Sequence, residues 1–473
     1  MKKKPMILLF ILLAVTSCLL LWQWRSYSGV LEENSEYKFE HPKQRITIET
    51  AGKEMQITQT VTGLIKDKNY QIIRPDSLFR WQCIDDDGES CKSYNVDSSK
   101  VIAENGELNF TYVIPIPEQP AYILTDWTTR IKDSSIMETT IDIVEKERRG
   151  STWVAGMPQT GYEKLSLIDF YSFKGKGDTP SLYWQSDTLE KKVLNEGLSI
   201  QGNPFSIGKH DLQSAASLEQ DEYLAVIFTD AVKPAEYQGI KIISPASSAE
   251  DIERELINDY FMKKFTKLSN QEKWIIDFLT SLTREKAPAA MKSEIMMAEL
   301  SQSITNEERN TFVHALQKTK RLDFTILDQL LGDMKGLKTS FFSINKDENS
   351  ELTPLLFMDP RKVIINDKVT DVTIAYRQDK ILFPFVDTLK AMGFRVDTEE
   401  STFYASNKTD QFTFFLAQPI FTRNGTDFGL LENPLQVEGG QVYIGIEALQ
   451  PIFHAEIIEN PESIQLNYAK NEK

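Results

Sequence analysis

Hydrophobic periodicity changes once along this chain, and the change divides it into two kinds of structure. Between residues 37 and 243, apolar side chains alternate with polar ones in short segments such as 45–50 and 108–114, a pattern typical of half-buried strands. From residue 247 to residue 335, apolar residues recur at helical spacing behind capping signatures that begin at Ser248, Ser269 and Thr305. The sequence therefore predicts a β-rich, sandwich-like domain over residues 30–245 and a small α-helical bundle over residues 247–335, whose last helix ends at Gly332.

The last quarter of the chain contains an internal repeat. Segment 363–368 matches segment 420–426, with Asn366 aligned to Asn424, and segment 380–389 matches segment 440–449, with Leu389 aligned to Leu449. Each copy predicts a strand, an asparagine-centred turn, a strand, a short helix and further strand, and two copies together make one compact α+β domain over residues 361–470. The polar stretch before this domain, residues 336–360, is predicted to be a linker or an edge strand.

This repeat resembles a known family. Residues 362–470 are similar to the copper amine oxidase N-terminal-like domain, also called the stalk domain, which recurs on bacterial cell-surface proteins. The likeness rests on two asparagine turns and on the entry to and exit from the first helix: Asn366-Asp367, Asn424-Gly425, Phe383-Pro384-Phe385 and Met392-Gly393-Phe394. The second copy departs from the pattern at Ile444 and Phe453. In that family the domain is an accessory module, so the resemblance implies neither a copper site nor a redox role.

The N-terminus carries an export signal. Three lysines in residues 1–4 precede a run without charge over residues 5–24, and about 20 helical residues span a bilayer core. The positive charges favour a cytoplasmic tip at residues 1–4, an uncleaved transmembrane signal anchor at residues 5–24, and an extracytoplasmic body. The segment ending at Cys18 also fits a bacterial lipobox, and the alternative is a lipoprotein anchored through a lipidated Cys18.

The remaining cysteines fit an oxidising compartment. Cys83 and Cys91 flank a turn-rich acidic segment centred on Gly88, and we expect them to form a local disulfide. The alternative is a pair of buried free thiols. The formal net charge of -16 argues against nucleic acid as a partner, because nucleic acid is held by clustered Lys and Arg.

Motifs that carry chemistry are scarce. The four histidines are widely spaced, and the sequence contains neither His-Glu-x-x-His nor Cys-x-x-Cys, so we expect no metal, no cofactor and no catalytic residue. Two acidic residues, Asp126 beside Trp127 and Asp169, could flank a sugar cleft, although surface turns and strand ends contain such residues as well. Four aromatic residues of the predicted sheet domain are candidates for a binding surface, with the core as the alternative. They are Trp127, Trp153, Tyr183 and Trp184.

These features predict a non-catalytic binding or scaffold protein, anchored at the bacterial cell surface by a membrane segment at residues 5–24. Cell-wall polymer and envelope proteins are the expected partners. One alternative is an extracytoplasmic enzyme that acts on wall polymer, with its site in residues 30–335. Another is a regulatory ectodomain that works through a membrane partner. A pocket lined by converging carboxylates would favour the enzyme, and an exposed strip of aromatic residues would favour binding.

Overall fold

The computed structural model describes residues 40–85, 88–92, 99–209, 212–378 and 380–468. The chain forms two compact units. Of the residues described, the first unit contains those up to 208 together with those of 222–245, and the second contains those of 209–221 together with those from 246 onward.

The first unit is built mainly of strands. Their bounds are β1 Lys43–Ala51, β2 Glu54–Thr62, β3 Lys68–Ile73, β4 Phe79–Ile84, β5 Lys100–Ala103, β6 Glu107–Pro115, β7 Ala121–Leu124, β8 Arg130–Ile131, β9 Glu138–Glu145, β10 Thr152–Ala155, β11 Gln159–Lys164, β12 Asp169–Lys176, β13 Leu182–Gln185, β14 Glu190–Asn195, β15 Leu198–Gly202, β16 Leu224–Phe228, β17 Ala235–Tyr237 and β18 Ile240–Ile243. A short helix, α1, covers Pro204–Lys209.

These strands form stacked sheets. Among the described residues, the largest sheet has the order β11-β12-β9-β1-β2-β6-β4, and beside it lie a sheet β10-β13-β7, a sheet β14-β15-β16-β18-β17 and a small sheet β5-β3-β8. The seven-stranded sheet shares one core with a face of β10-β13-β7 that includes Trp153 and Trp184. The other face of that middle sheet, with Val154 and Tyr183, packs against Ile227 and its neighbours in the β14–β18 sheet. The arrangement therefore has three layers rather than the two of the predicted sandwich.

The helical part of the second unit begins where the sequence predicts. The bounds are α2 Gln213–Ala216, α3 Ala249–Lys264, a 3-10 turn Asn270–Glu272, α4 Trp274–Arg284, α5 Met291–Ser303, α6 Asn306–Lys318, α7 Phe324–Lys335 and α8 Phe341–Ile344. The Ser248 hydroxyl accepts the N–H of Asp251, and capping boxes are present at Ser269 and Thr305. These caps are confirmed.

The predicted end of the last long helix is wrong. Helix α7 continues through Gly332 to Lys335, and Gly336 ends it in the left-handed conformation at φ +67°. Gly332 has another role, because a Cβ at this position would lie 2.6 Å from the carbonyl oxygen of Leu337. The segment 336–360 is predicted to be a linker or an edge strand. Its helix α8 is packed, since Phe341 and Phe342 are buried, and Phe357–Met358 form an edge strand.

The rest of the second unit shows the duplication. The bounds are β19 Phe357–Met358, β20 Lys362–Ile365, β21 Lys368–Thr370, β22 Ala375–Arg377, β23 Lys380–Pro384, α9 Phe385–Met392, β24 Arg395–Glu399, β25 Thr402–Ser406, β26 Gln411–Phe415, β27 Ile420–Arg423, β28 Thr426–Gly429, β29 Leu435–Glu438, β30 Gln441–Gly445, α10 Ile446–Phe453, β31 Ala455–Glu459 and β32 Ser463–Tyr468.

The two copies correspond element by element. The run β20 to β25 with helix α9 has the same order as the run β27 to β32 with helix α10. Asn366 and Asn424 both adopt the left-handed conformation, at φ +47° and +49°, which asparagine tolerates better than most residues. Strand β23 of the first copy pairs with β30 of the second, and Leu389 and Leu449 are both buried in the shared core. The predicted repeat is thus present in the fold.

The predicted fold class is wrong where it begins with a membrane anchor. In residues 40–468, leaving aside the gaps given above, no helix is long and apolar enough to cross a membrane. The longest of them, α3, carries charged residues along its whole length. The single-pass cell-membrane localisation is corrected together with the anchor. The predicted tip at residues 1–4, the anchor at residues 5–24 and the lipidation residue Cys18 all lie outside the described residues.

Candidate functional site

A cavity of about 550 Å³ opens in the first unit beside the connection between β7 and β9, which contains the short strand β8. Residues 125–136 of this connection form one wall, residues 178–181 after β12 form another, and the side chains of Gln44 and Gln59 reach it from β1 and β2. We call it the 125–136 cavity. Its volume lies within the range of about 300–1,000 Å³ that is usual for small-molecule sites.

Gln59 holds the first wall in place. Its side chain is fully buried, its amide nitrogen donates to the carbonyl oxygen of Thr129 at 2.8 Å, and its amide oxygen accepts the N–H of the same residue at 3.0 Å. The Tyr112 hydroxyl also donates to this oxygen at 3.0 Å, and the Trp81 indole donates to the Thr129 hydroxyl at 2.9 Å. The connection is therefore fixed to the sheet through both backbone polar groups of Thr129, its N–H and its carbonyl oxygen.

Gln44 ties the second wall to the same sheet. Its amide nitrogen donates to the hydroxyl oxygens of Thr139 and Thr179, at 2.9 and 2.8 Å, and its oxygen accepts from Gln59 at 2.9 Å. The Thr139 hydroxyl in turn donates to the carbonyl oxygen of Gly177 at 2.6 Å. Both walls are linked through two buried glutamines, so the cavity is formed before any ligand arrives.

Charged residues surround the opening of the cavity. Asp126 lies in the left-handed conformation at φ +48° and forms an ion pair of 2.9 Å with Arg130. Both side chains are more than half exposed, so the pair contributes at most about 1 kcal/mol to stability. Asp133, also left-handed at φ +59°, and Lys132 complete this charged rim.

Asp178 is the unusual acid of the cavity. Partial burial of its carboxyl raises its pKa above the ordinary value, although a hydrogen bond from the backbone of Ile136 and the charge of Arg130 offset part of the effect. The residue as a whole remains exposed at the opening. A carboxyl in this setting can accept a hydrogen bond when ionised and donate one when protonated.

In the part of the chain that the structure describes, no group of His, Cys, Asp and Glu side chains could hold a metal ion.

Of the two interpretations of the four aromatic residues, an exposed binding surface and the core, the structure supports the core. The structure buries Trp127, Trp153, Tyr183 and Trp184, with at most 4% of any of them exposed. Trp127 lines the 125–136 cavity, but its indole N–H is bound to the carbonyl oxygen of Pro180 at 3.0 Å. Trp153, Tyr183 and Trp184 belong to the sheet β10-β13-β7. Because other sheets cover both faces of this sheet, its side chains are buried whichever face they lie on.

Two further sequence predictions have clear outcomes. The Cys83–Cys91 disulfide is confirmed, with Cα atoms 5.3 Å apart, and Ile84 and Ser90 form an isolated β-bridge between them. Asp169 does not flank a cleft. It is fully buried, and its carboxylate accepts the N–H of Gly150 at 2.7 Å.

Sequence reasoning missed Gln44, Gln59 and Asp178. The inward positions of β2 are Met55, Ile57, Gln59 and Val61. A glutamine in an otherwise apolar inward series is a signal for a buried polar contact, and Gln44 precedes the inward isoleucines of β1 in the same manner. Asp178 gives no such signal, because aspartate after a strand is ordinary in turns.

Comparisons with known proteins add little. No protein-family model matches the chain, and no curated protein matches it. Among solved structures, it is similar to the M1 zinc metallopeptidase from Deinococcus radiodurans at 11% identity and a TM-score of 0.35, covering 66% of this chain and 94% of that chain. A mutant of that enzyme gives 12% identity and a TM-score of 0.37. A likeness this weak carries no argument about fold or activity.

Proposed function

We propose that the protein is a non-catalytic binding or scaffold protein that takes a neutral, polyhydroxylated ligand in the 125–136 cavity. Sugar units of a polysaccharide such as cell-wall polymer have this chemistry. The observation that carries the proposal is the set of preformed walls, which the contacts of Gln44 and Gln59 hold in place and which line the cavity with threonine and serine residues and with the aspartates of its rim. Several convergent polar groups on rigid walls give orientation and specificity to a ligand rich in hydroxyls.

The charges of the rim favour a neutral ligand. Asp126, Asp133 and Asp178 face Arg130 and Lys132 around the opening, and Arg130 is already paired with Asp126. The rim therefore has one more carboxylate than it has cations. This excess negative charge disfavours a polyanion, because like charges across an interface cost affinity.

Isothermal titration calorimetry tests this proposal with tetramers of glucose and of N-acetylglucosamine as probes. Thr125 lines the opening and is exposed, so Thr125→Trp should block the cavity without disturbing the core. Thr160 is an exposed threonine of the edge strand β11, outside the cavity, and Thr160→Trp is the matched control. We expect binding of at least one tetramer, weakened tenfold or more by Thr125→Trp only. Equal affinity of the two variants, or no binding of either tetramer, contradicts the proposal.

A second candidate function is hydrolysis of such a polymer. It is favoured by the raised pKa of Asp178 in a cavity that Asp126 and Asp133 also line, because glycoside hydrolysis uses one protonated and one ionised carboxyl. Release of reducing ends from a bound tetramer separates the two functions. An enzyme loses this release in Asp178→Asn, whereas a binding protein releases none in either form.

The C-terminal domain, residues 361–470, has a separate place in this proposal. Its resemblance implies an accessory module, and we propose that it acts as a spacer or scaffold while the first unit binds the ligand.

A further inference from the structure

A second, more open cavity of about 460 Å³ lies in the first unit and shares no lining residue with the 125–136 cavity. It is lined by Arg148 and Trp184 on one side and by Ile116, Pro117 and Pro120 on another, with Lys53 and Glu118 at its rim. Lys53 and Glu118 form an exposed ion pair of 2.7 Å. We call it the Arg148 cavity.

The guanidinium of Arg148 lies over the ring of Trp184, with its central carbon 3.9 Å from the ring centroid. Tyr122 and Trp153 are the next aromatic neighbours, at 5.8 and 5.9 Å. Its Nη2 donates to the hydroxyl oxygen of Tyr122 at 3.1 Å and lies 3.4 Å from a carboxylate oxygen of Glu145. Stacking on an indole holds a guanidinium in place without using its N–H groups.

The turn that carries Arg148 is anchored by a buried acid. Glu145 is fully buried, and one of its oxygens accepts the N–H of Arg148 at 2.8 Å, the N–H of Glu147 at 3.1 Å and the hydroxyl of Thr50 at 2.7 Å. Its other oxygen accepts the indole N–H of Trp153 at 3.1 Å. The position of the guanidinium is therefore set by the fold.

Three donor nitrogens beside the Arg148 cavity have no hydrogen-bond acceptor among the described residues. The Nε and Nη1 of Arg148 and the Nε1 of Trp184 are buried, and none of them has a hydrogen-bond partner among the described residues. Trp184 is only 4% exposed. Buried donors are nearly always paired, and leaving one unpaired costs about 1–3 kcal/mol. Such a concentration of unpaired donors next to a cavity indicates a site for acceptor oxygens.

We propose that the Arg148 cavity binds a monoanionic carboxylate with an apolar body. The unpaired donors and the positive guanidinium select an anion. Glu145 already faces the guanidinium and Glu118 lies at the rim, so a dianion such as phosphate is disfavoured by repulsion. Ile116, Pro117 and Pro120 supply an apolar wall for the rest of the ligand.

The test uses the full chain labelled with 15N and titrated with benzoate, with benzamide and inorganic phosphate as the other two probes. We expect benzoate to shift the indole N–H signal of Trp184. The indole of Trp81, which is bound to the Thr129 hydroxyl, should not move. Benzamide and phosphate should bind at least tenfold more weakly than benzoate.

Three variants test whether benzoate binds in the Arg148 cavity or responds only to the positive charge of any arginine. Arg148→Met should weaken benzoate binding tenfold or more, and Trp184→Phe, which keeps the ring and removes the donor, should weaken it severalfold. Arg74 also lies over a tryptophan, 5.5 Å from the Trp81 ring, but is exposed, so Arg74→Met is the matched control and should leave binding unchanged. If Arg148→Met fails to fold, Trp184→Phe still decides the matter.

Three results overturn the inference: no shift of the Trp184 signal with benzoate, equal binding of benzamide, or equal binding by Trp184→Phe and the parent protein. Stronger binding of phosphate would overturn the carboxylate class. Because no residue of the 125–136 cavity is changed in these variants, failure here leaves the proposed function untouched.

Discussion

Replacement of Gln59 by methionine is the most informative single change in the first unit. Methionine has nearly the same length and volume as glutamine, so Gln59→Met removes hydrogen bonds while the space in the core stays filled. The groups that lose a partner are the N–H and the carbonyl oxygen of Thr129, the hydroxyl of Tyr112 and the amide oxygen of Gln44.

The size of the effect follows from these four groups. Each buried group left without its partner costs about 1–3 kcal/mol. The groups belong to one network, and losses within a network are not additive. We therefore expect Gln59→Met to lower the free energy of unfolding of the first unit by roughly 3–6 kcal/mol, a large part of the stability of an ordinary domain.

Gln56 provides a matched control, because it lies on the same strand and its side chain is exposed. Gln56→Met should change the unfolding free energy by no more than about 0.5 kcal/mol. Urea unfolding followed by tryptophan fluorescence measures both variants. Equal midpoints for the two would refute the reasoning that the amide of Gln59 holds the wall of the cavity.

Three further predictions concern other parts of the chain. Replacing Cys83 and Cys91 by serine should cost about 2–3 kcal/mol, because the closed loop is short; urea unfolding measures this, and an unchanged midpoint would contradict it. Leu389→Ala should destabilise the second unit by about 2–5 kcal/mol, because Leu389 is fully buried in the core that the two copies share; a loss below 1 kcal/mol in thermal unfolding would argue against a joint core. Burial alone would raise the pKa of Asp359, but the hydrogen bonds from Arg361 outweigh it and hold the pKa below its usual range. As the pH falls, the Asp359 carboxyl is therefore protonated in the unfolded chain before it is protonated in the folded protein. Its contribution to stability is present above about pH 4 and lost below it. Acid unfolding curves of Asp359→Asn that match those of the parent protein would contradict this prediction.

Local features of this fold could be predicted from the sequence. The capping boxes at Ser269 and Thr305 and the left-handed asparagines at positions 366 and 424 depend on residues only a few positions apart. The same holds for the Cys83–Cys91 disulfide, whose cysteines are separated by 8 positions. Interactions of this range are set by the chain itself, whatever packs on it later.

Layer order and the cavity walls could not be predicted in this way. Whether Trp153 and Tyr183 face solvent depends on which sheets cover β10-β13-β7, and those sheets come from distant parts of the chain. The 125–136 cavity likewise joins positions such as Gln44, Thr129 and Thr179, which meet only in the folded unit. The period-two pattern shows which side chains share a face of a strand, but it does not show whether another sheet or solvent covers that face.

Hydrogen–deuterium exchange of the full chain with and without a saturating neutral oligosaccharide tests the central claim most directly. The walls of the 125–136 cavity lie in two separate stretches of the sequence, residues 125–136 and 178–181. We predict that the ligand slows exchange in both stretches together and leaves residues 361–468 unchanged. Protection confined to residues 361–468, or protection nowhere, would contradict the assignment of ligand binding to this cavity.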